Sequence, residues 1–349
     1  MKNIKTTLNL LIWGISICLW WACSGGTHQH DAPTSSGPSV VKKKTKDFFI
    51  TSSTPSISER DNSTFPAFLQ PKEVRIEAFR KDTTLHLDSA RVDYTLKIDY
   101  PTSEHPHADQ IKSWLAERVF GSMCYEDEVP HHYSVSLGGY ERRFGRRRYR
   151  GSYRNAEGIA RFMANRYFQS VQDGYHHILE LREQNPEIEF TYPRYQMYHF
   201  EMRALSQSER LVSYLCITSS HTDGTPGYHS AELISYDPVH RREMTKHNLY
   251  INKSEEKIRN ILFATILADS VFQQYHPEKK SMEELLENFV DSKGEWKLPQ
   301  PGLSSDGVVY SFQPYEIAGY EAGIFHFCIP YDSVMPYLSD RAKWCLGIQ

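Results

Sequence analysis

The chain has 349 residues, with 40 Lys and Arg against 43 Asp and Glu, a formal net charge of −3. That balance is too even to imply a polyanion partner for the molecule as a whole, and nucleic acid is not an expected partner. The length suffices for one large domain or two closely joined ones, and 22 tyrosines suit half-buried sheets whose polar tips stay wet.

Lys2 and Lys5 open the chain, an apolar run extends from Leu8 to Trp21, and Ala22-Cys23-Ser24 follows. This is the charged, apolar and small-residue layout of a secretory signal. The run is shorter than the about 20 residues needed to span a bilayer. A cysteine directly after a small residue resembles the lipobox of bacterial lipoproteins, in which the cysteine is lipidated and becomes the new N-terminus. Trp20 stands where that box usually carries Leu or Val. The expectation is a signal peptide over 1–22, a lipid on Cys23 that anchors the protein to the membrane, and an outer-membrane lipoprotein in the cell envelope. Residues 23–66 are rich in Ser, Thr, Pro and Gly around a Lys42-Lys43-Lys44-Thr45-Lys46 run. They read as a disordered tether.

The body begins near Leu69. From Val92 to Tyr100 apolar residues alternate strictly with Asp93, Thr95, Lys97 and Asp99, which predicts a strand with one buried and one wet face, ended by Pro101. Asp109 offers an N-cap to a helix burying Ile111, Trp114, Leu115 and Val119, with Gly121 suited to its end. Ile159 to Ile178 follow the spacing of a long amphipathic helix that Pro186 limits. Strand-like runs come at 195–205, 211–218 and 231–236, the last closed by Asp237-Pro238. Ser254 reads as the cap of a helix with Glu255 and Glu256 in its first turn, and Ser281 with Glu284 as a capping box. The order argues for an α+β fold: antiparallel sheets, each covered by helices on one face, in two intimately joined subdomains over 67–220 and 221–349.

Asp306-Gly307 reads as a hairpin turn before Val308, Tyr310 and Phe312. Then come Gln313-Pro314-Tyr315-Glu316-Ile317-Ala318-Gly319-Tyr320-Glu321-Ala322-Gly323, a strand to Ile329 and Pro330-Tyr331-Asp332-Ser333. Phe312, Pro314 to Ala318, Ala322-Gly323 and Ile329 to Tyr331 resemble the C-terminal extracytoplasmic domain of RsiV-type anti-sigma factors. The likeness covers about 254–338. Residues 92–121 are similar to its companion N-terminal domain, also seen in some peptidoglycan deacetylases. Gly319 departs from the proline common in that family. Residues 223–229 match its glycine-glycine-alanine-histidine loop only loosely. The family's best-known member senses lysozyme outside the cell. The resemblance therefore implies an extracytoplasmic binding role, for a cell-wall glycan or a lysozyme-like protein. It implies no anti-sigma activity, since that member's sigma-binding segment and internal transmembrane helix have no counterpart here.

No H-E-x-x-H, Walker loop or G-x-S-x-G elbow occurs, and neither a metal nor another cofactor is expected. His131-His132 and His176-His177 are adjacent pairs, whose side chains on a helix point about 100° apart. His176 and Glu180 share a face but supply too few ligands. Cys124, Cys216, Cys328 and Cys345 lack C-x-x-C spacing and allow three pairings, none preferred. Cys216 and Cys328 sit in apolar runs, where cysteine serves as a small hydrophobe. Arg142, Arg143, Arg146, Arg147, Arg148 and Arg150 interleave with Tyr140, Phe144 and Tyr149 and are the candidate ligand-binding residues, able to fork onto carboxylate or phosphate. A solvated basic loop explains them as well. Glu316 beside Pro314-Tyr315 is expected to order its turn rather than to catalyse. The leading expectation is thus a non-catalytic binding protein, with a cell-wall hydrolase as the alternative.

Overall fold

The computed structural model describes residues 65–87, 90–123, 156–186, 193–223, 227–281, 284 and 298–348. Cys23, Cys124, His131, His132 and the six arginines from Arg142 to Arg150 lie outside them. The strict alternation of 92–100 forms β2 (Ala90–Pro101), which pairs along its length with β1 (Ile76–Leu87). Two helices follow, α1 (Ala108–Met123) and α2 (Ala156–Gln184), and then β3 (Tyr195–Gln207), β4 (Val212–Thr222), β5 (Tyr228–Asp237) and the short β6 (Arg242–Glu243). These strands make one six-stranded sheet in sequence order. The expected antiparallel pairing holds except at one place, where β2 and β3 run parallel. Parallel neighbours need a crossover connection, and α1 and α2 lie on that connection.

Val92, Tyr94, Leu96 and Ile98 bury against Ile111, Trp114, Leu115 and Val119 of α1 and Ile159, Met163 and Phe168 of α2. The apolar stripe of each helix covers one face of the sheet, as its spacing requires. Helix α1 runs to Met123, past the end expected at Gly121.

A second, three-stranded antiparallel sheet joins β7 (Pro301–Leu303), β8 (Gly307–Phe312) and β9 (Phe325–Pro330). The Asp306-Gly307 turn lies between the first two. Ser304 closes it by accepting from the amides of Asp306 and Gly307, both at 3.2 Å. Val308, Tyr310, Phe312, Phe325 and Phe327 bury on one face of this sheet against α4 (Glu255–Ala268) and α5 (Ser270–Tyr275), with α3 being Lys246–Leu249. Ile258, Leu262 and Ile266 form the helix stripe, joined by Phe263. Ser254 does not cap α4 with its side chain: it adopts helical angles, and its hydroxyl turns back to the Ile251 carbonyl at 2.7 Å. The Ser281–Glu284 box forms in both directions, at 3.2 and 2.9 Å.

The other face of the small sheet packs on the face of the large sheet opposite α1 and α2. Val309 and Cys328 meet Leu215, Ile217, Ala231 and Leu233. The result is four layers, helices, sheet, sheet, helices. At the junction the backbones nearly touch: a Cβ at Gly302 would lie 2.3 Å from the Leu233 carbonyl oxygen. The segment 65–72 straps both sheets together. Leu69 is buried in the shared core, the Lys72 amide donates to the Leu205 carbonyl at 2.8 Å, and its ammonium reaches Asp306 at 2.7 Å. The last helices, α6 (Tyr331–Val334) and α7 (Asp340–Leu346), close the outer layer. Asp237, fully buried, holds α7 through Arg341 at 2.6 Å and Cys345 at 3.5 Å while capping its own turn at His240. Among the described residues Cys216, Cys328 and Cys345 form no disulfide with one another.

Candidate functional site

Trp114 and Arg118 lie one turn apart on α1, hence on one face. Both reach Glu243 of β6, far away in sequence. The Trp114 indole N–H donates to Glu243 Oε1 at 2.6 Å, Arg118 Nε donates to the same oxygen at 2.6 Å, and an Arg118 terminal nitrogen takes Oε2. A bidentate guanidinium–carboxylate pair fixes orientation as well as charge. The indole stacks on Tyr236 with centroids 4.6 Å apart, which holds the pair in place.

The remaining arm of Arg118 comes within 4.0 Å of Glu232 on β5, which keeps 51 % of its side chain exposed. Partial desolvation by the surrounding protein raises the pKa of that half-exposed carboxylate; Arg118 opposes the shift and Glu243 adds to it. Glu243, gripped by three donors, neutralises Arg118, so Glu232 is left the less compensated acid.

Beside this cluster stands the turn that carries the strongest family-like motif. Gln313 fastens it to the open edge of β5. Its side-chain amide accepts from the Ala231 amide and donates to the Ala231 carbonyl, both at 3.1 Å, imitating a neighbouring strand. Glu316 accepts from the Gln313 amide at 2.7 Å, so it does order its turn. The protein crowded around its carboxylate raises the Glu316 pKa as well, although the residue is exposed, with Glu232 adding repulsion. Tyr315 occupies the left-handed region at φ 71° and leaves 59 % of itself exposed. Its ring tilts against Tyr320 at 5.8 Å, and the Tyr320 hydroxyl is tied to the Gly227 carbonyl. Such a backbone costs a non-glycine residue about 1–2 kcal/mol, and strain of this kind collects at binding sites. The arrangement is an open aromatic and acidic surface bordered by a locked Trp–Arg–Glu cluster.

The other sites expected from sequence are placed as follows. His176 is exposed on α2, and it is His177, not His176, that approaches Glu180, at 4.0 Å. Among the described residues no group of three or more His, Cys, Asp or Glu is placed to hold a metal ion, and no helix is long and apolar enough to cross a membrane. Trp114 is expected from sequence only as a buried helix residue, and its cluster with Arg118, Glu232 and Glu243 is signalled by no spacing, because the contacts that assemble it span 125 and 129 positions.

Comparison with known proteins adds a family signature and a fold. The profile of a family described as a protein of unknown function (DUF3298) matches residues 246–332, the span from α3 to the start of α6. A crystal structure of a DUF3298 family member from Bacteroides fragilis is similar at TM-score 0.58 and 16 % identity, covering 79 % of this chain and 97 % of that one. A DUF3298 family protein from Pseudomonas aeruginosa matches at TM-score 0.47 and 10 % identity, over 79 % and 98 % of the two chains. No curated protein matches. The first likeness is one of fold.

Proposed function

We propose that the chain is a non-catalytic cell-envelope protein, exported and lipid-anchored through Cys23, whose body binds a basic extracytoplasmic protein of lysozyme type at the Tyr315–Glu316–Glu232 surface. The observation that carries the reading is Tyr315: a large ring held out in solvent on a backbone that resists it. Exposed tyrosine offers rigid contact area at low entropic cost, and adjacent carboxylates complement a cationic partner. The resemblance of 313–323 to lysozyme-sensing proteins supports the same reading. Two arginine-loop roles remain compatible with it, as a glycan grip or as a solvated loop.

The test is retention of the protein on immobilised lysozyme. Tyr315→Ser and Glu232→Gln are each expected to weaken it at least about tenfold, within the range for an interface anchor. Retention unchanged by both substitutions would remove the proposal. Palmitate labelling that depends on Cys23 tests the anchor. The hydrolase alternative draws on Glu232 and Glu316, two acids whose pKa values both rise. Cell-wall hydrolysis abolished by Glu232→Gln would favour it.

A further inference from the structure

The connection between β4 and β5 carries a motif that the proposed surface does not use. His221 lies near the end of β4 and His229 near the start of β5, and the two strands pair up to Ser220 and Tyr228. Gly227 sits between the two histidines. The position its missing side chain would take is 3.6 Å from His221 Nδ1 and 3.5 Å from His229 Nε2. Two imidazole nitrogens from neighbouring strands therefore border the space over Gly227, together with the Ser220 carbonyl oxygen at 3.3 Å. The other ring nitrogen of His221 lies 4.0 Å from Asp223 Oδ1, and the His221 side chain is 42 % exposed. A carboxylate behind the non-ligating nitrogen is the usual way a metal-binding imidazole is oriented. The hydroxyl of Tyr320 donates to the Gly227 carbonyl.

We propose that His221 and His229 form a two-imidazole site for a divalent transition-metal ion over Gly227. Imidazole donors select copper, nickel or zinc over magnesium and calcium, and copper binds such a pair most tightly. Metal–nitrogen bonds of about 2.0–2.1 Å require His221 Nδ1 and His229 Nε2 to close inward by side-chain rotation. Since no third protein ligand converges among the described residues, the remaining positions fall to water or to a donor from a bound molecule.

The experiment is a Cu2+ titration of the full-length protein in detergent, followed by electron paramagnetic resonance, with circular dichroism to establish that each variant is folded. Wild type is expected to show, beside any copper held at other histidines, one equivalent with coupling to two imidazole nitrogens. His221→Ala and His229→Ala should each lose that equivalent while keeping the copper bound at other histidines. Gly227→Ala retains both rings but fills that space, and should weaken the same equivalent. Asp223→Asn should weaken it about tenfold. Equal stoichiometry and identical spectra in wild type and both histidine variants would overturn the site, as would a Gly227→Ala titration that matches wild type.

Discussion

One face of the large sheet is built in two different ways along its width. On β4 and β5 it is dry: Leu215, Ile217, Ala231 and Leu233 pack on Val309 of the small sheet. On β2 and β3 the same face is ionic. Glu201, 7 % exposed, receives Arg203 at 2.7 Å, His199 at 3.2 Å and Lys97 at 3.6 Å. Further out, Asp82 takes Arg80 at 2.7 Å, and Asp93 takes Arg91 at 3.0 Å. The change follows what lies above. A second sheet covers β4 and β5, and apolar burial there stabilises by roughly 25 cal/mol per Å². Over Arg203 the cover includes Phe65 of the strap, 5.6 Å from the guanidinium. The alternation of a strand tells which residues share a face, and the covering layer decides whether that face is wet.

The largest expected effect comes from the ionic half. Glu201→Gln leaves Arg203 and Lys97 without their anion and should cost about 3 kcal/mol or more, read by chemical denaturation; a loss below that would place the network at the solvated limit. In the dry half, Gly302→Ala forces Cβ into the Leu233 backbone and should cost about 2–3 kcal/mol, read as a shifted denaturation midpoint. An unchanged midpoint would show that the sheets can slide apart freely.

Acid separates the halves. Burial pushes the Glu201 pKa up, but the His199 hydrogen bond and the charges of Arg203 and Lys97 outweigh it and bring it to about 2. A depressed carboxylate contributes stability that is present above its unfolded value of about 4.3 and is lost as pH falls toward about 2. A stability series across that window should therefore fall by about 2 kcal/mol more in wild type than in Glu201→Gln. Parallel curves would assign acid sensitivity to other groups. The smallest effect lies outside both halves. Tyr315→Gly removes a strained left-handed residue and should change stability by no more than about 1 kcal/mol, upward. Destabilisation would mean that the ring packs rather than waits.

Much of this was legible in the sequence, and the omissions have causes. The Val92–Tyr100 alternation, the helix stripes, the Asp306-Gly307 turn and the motif at 312–331 are short-range patterns, and the chain folds as they direct. Strand β1 gave little signal because its outward residues, Arg80, Asp82, Thr84 and His86, are polar and its inward ones only half-buried. The wet face expected for Asp93, Thr95, Lys97 and Asp99 is half-buried instead, because its partners come from β1 and β3. The parallel β2–β3 pair also escaped, since no residue of either strand records the direction of its neighbour. Of the candidate surface, Tyr315 and Glu316 stood in the family-like motif. Arg118, Trp114, Glu232 and Glu243 meet only after the sheet has formed.

The claim that Tyr315 exists for a partner is tested most directly by comparing Tyr315→Gly with wild type for lysozyme affinity, by calorimetry on folded protein. The account predicts affinity at least about tenfold weaker in a variant that is no less stable. Equal affinity in an equally folded variant would contradict it.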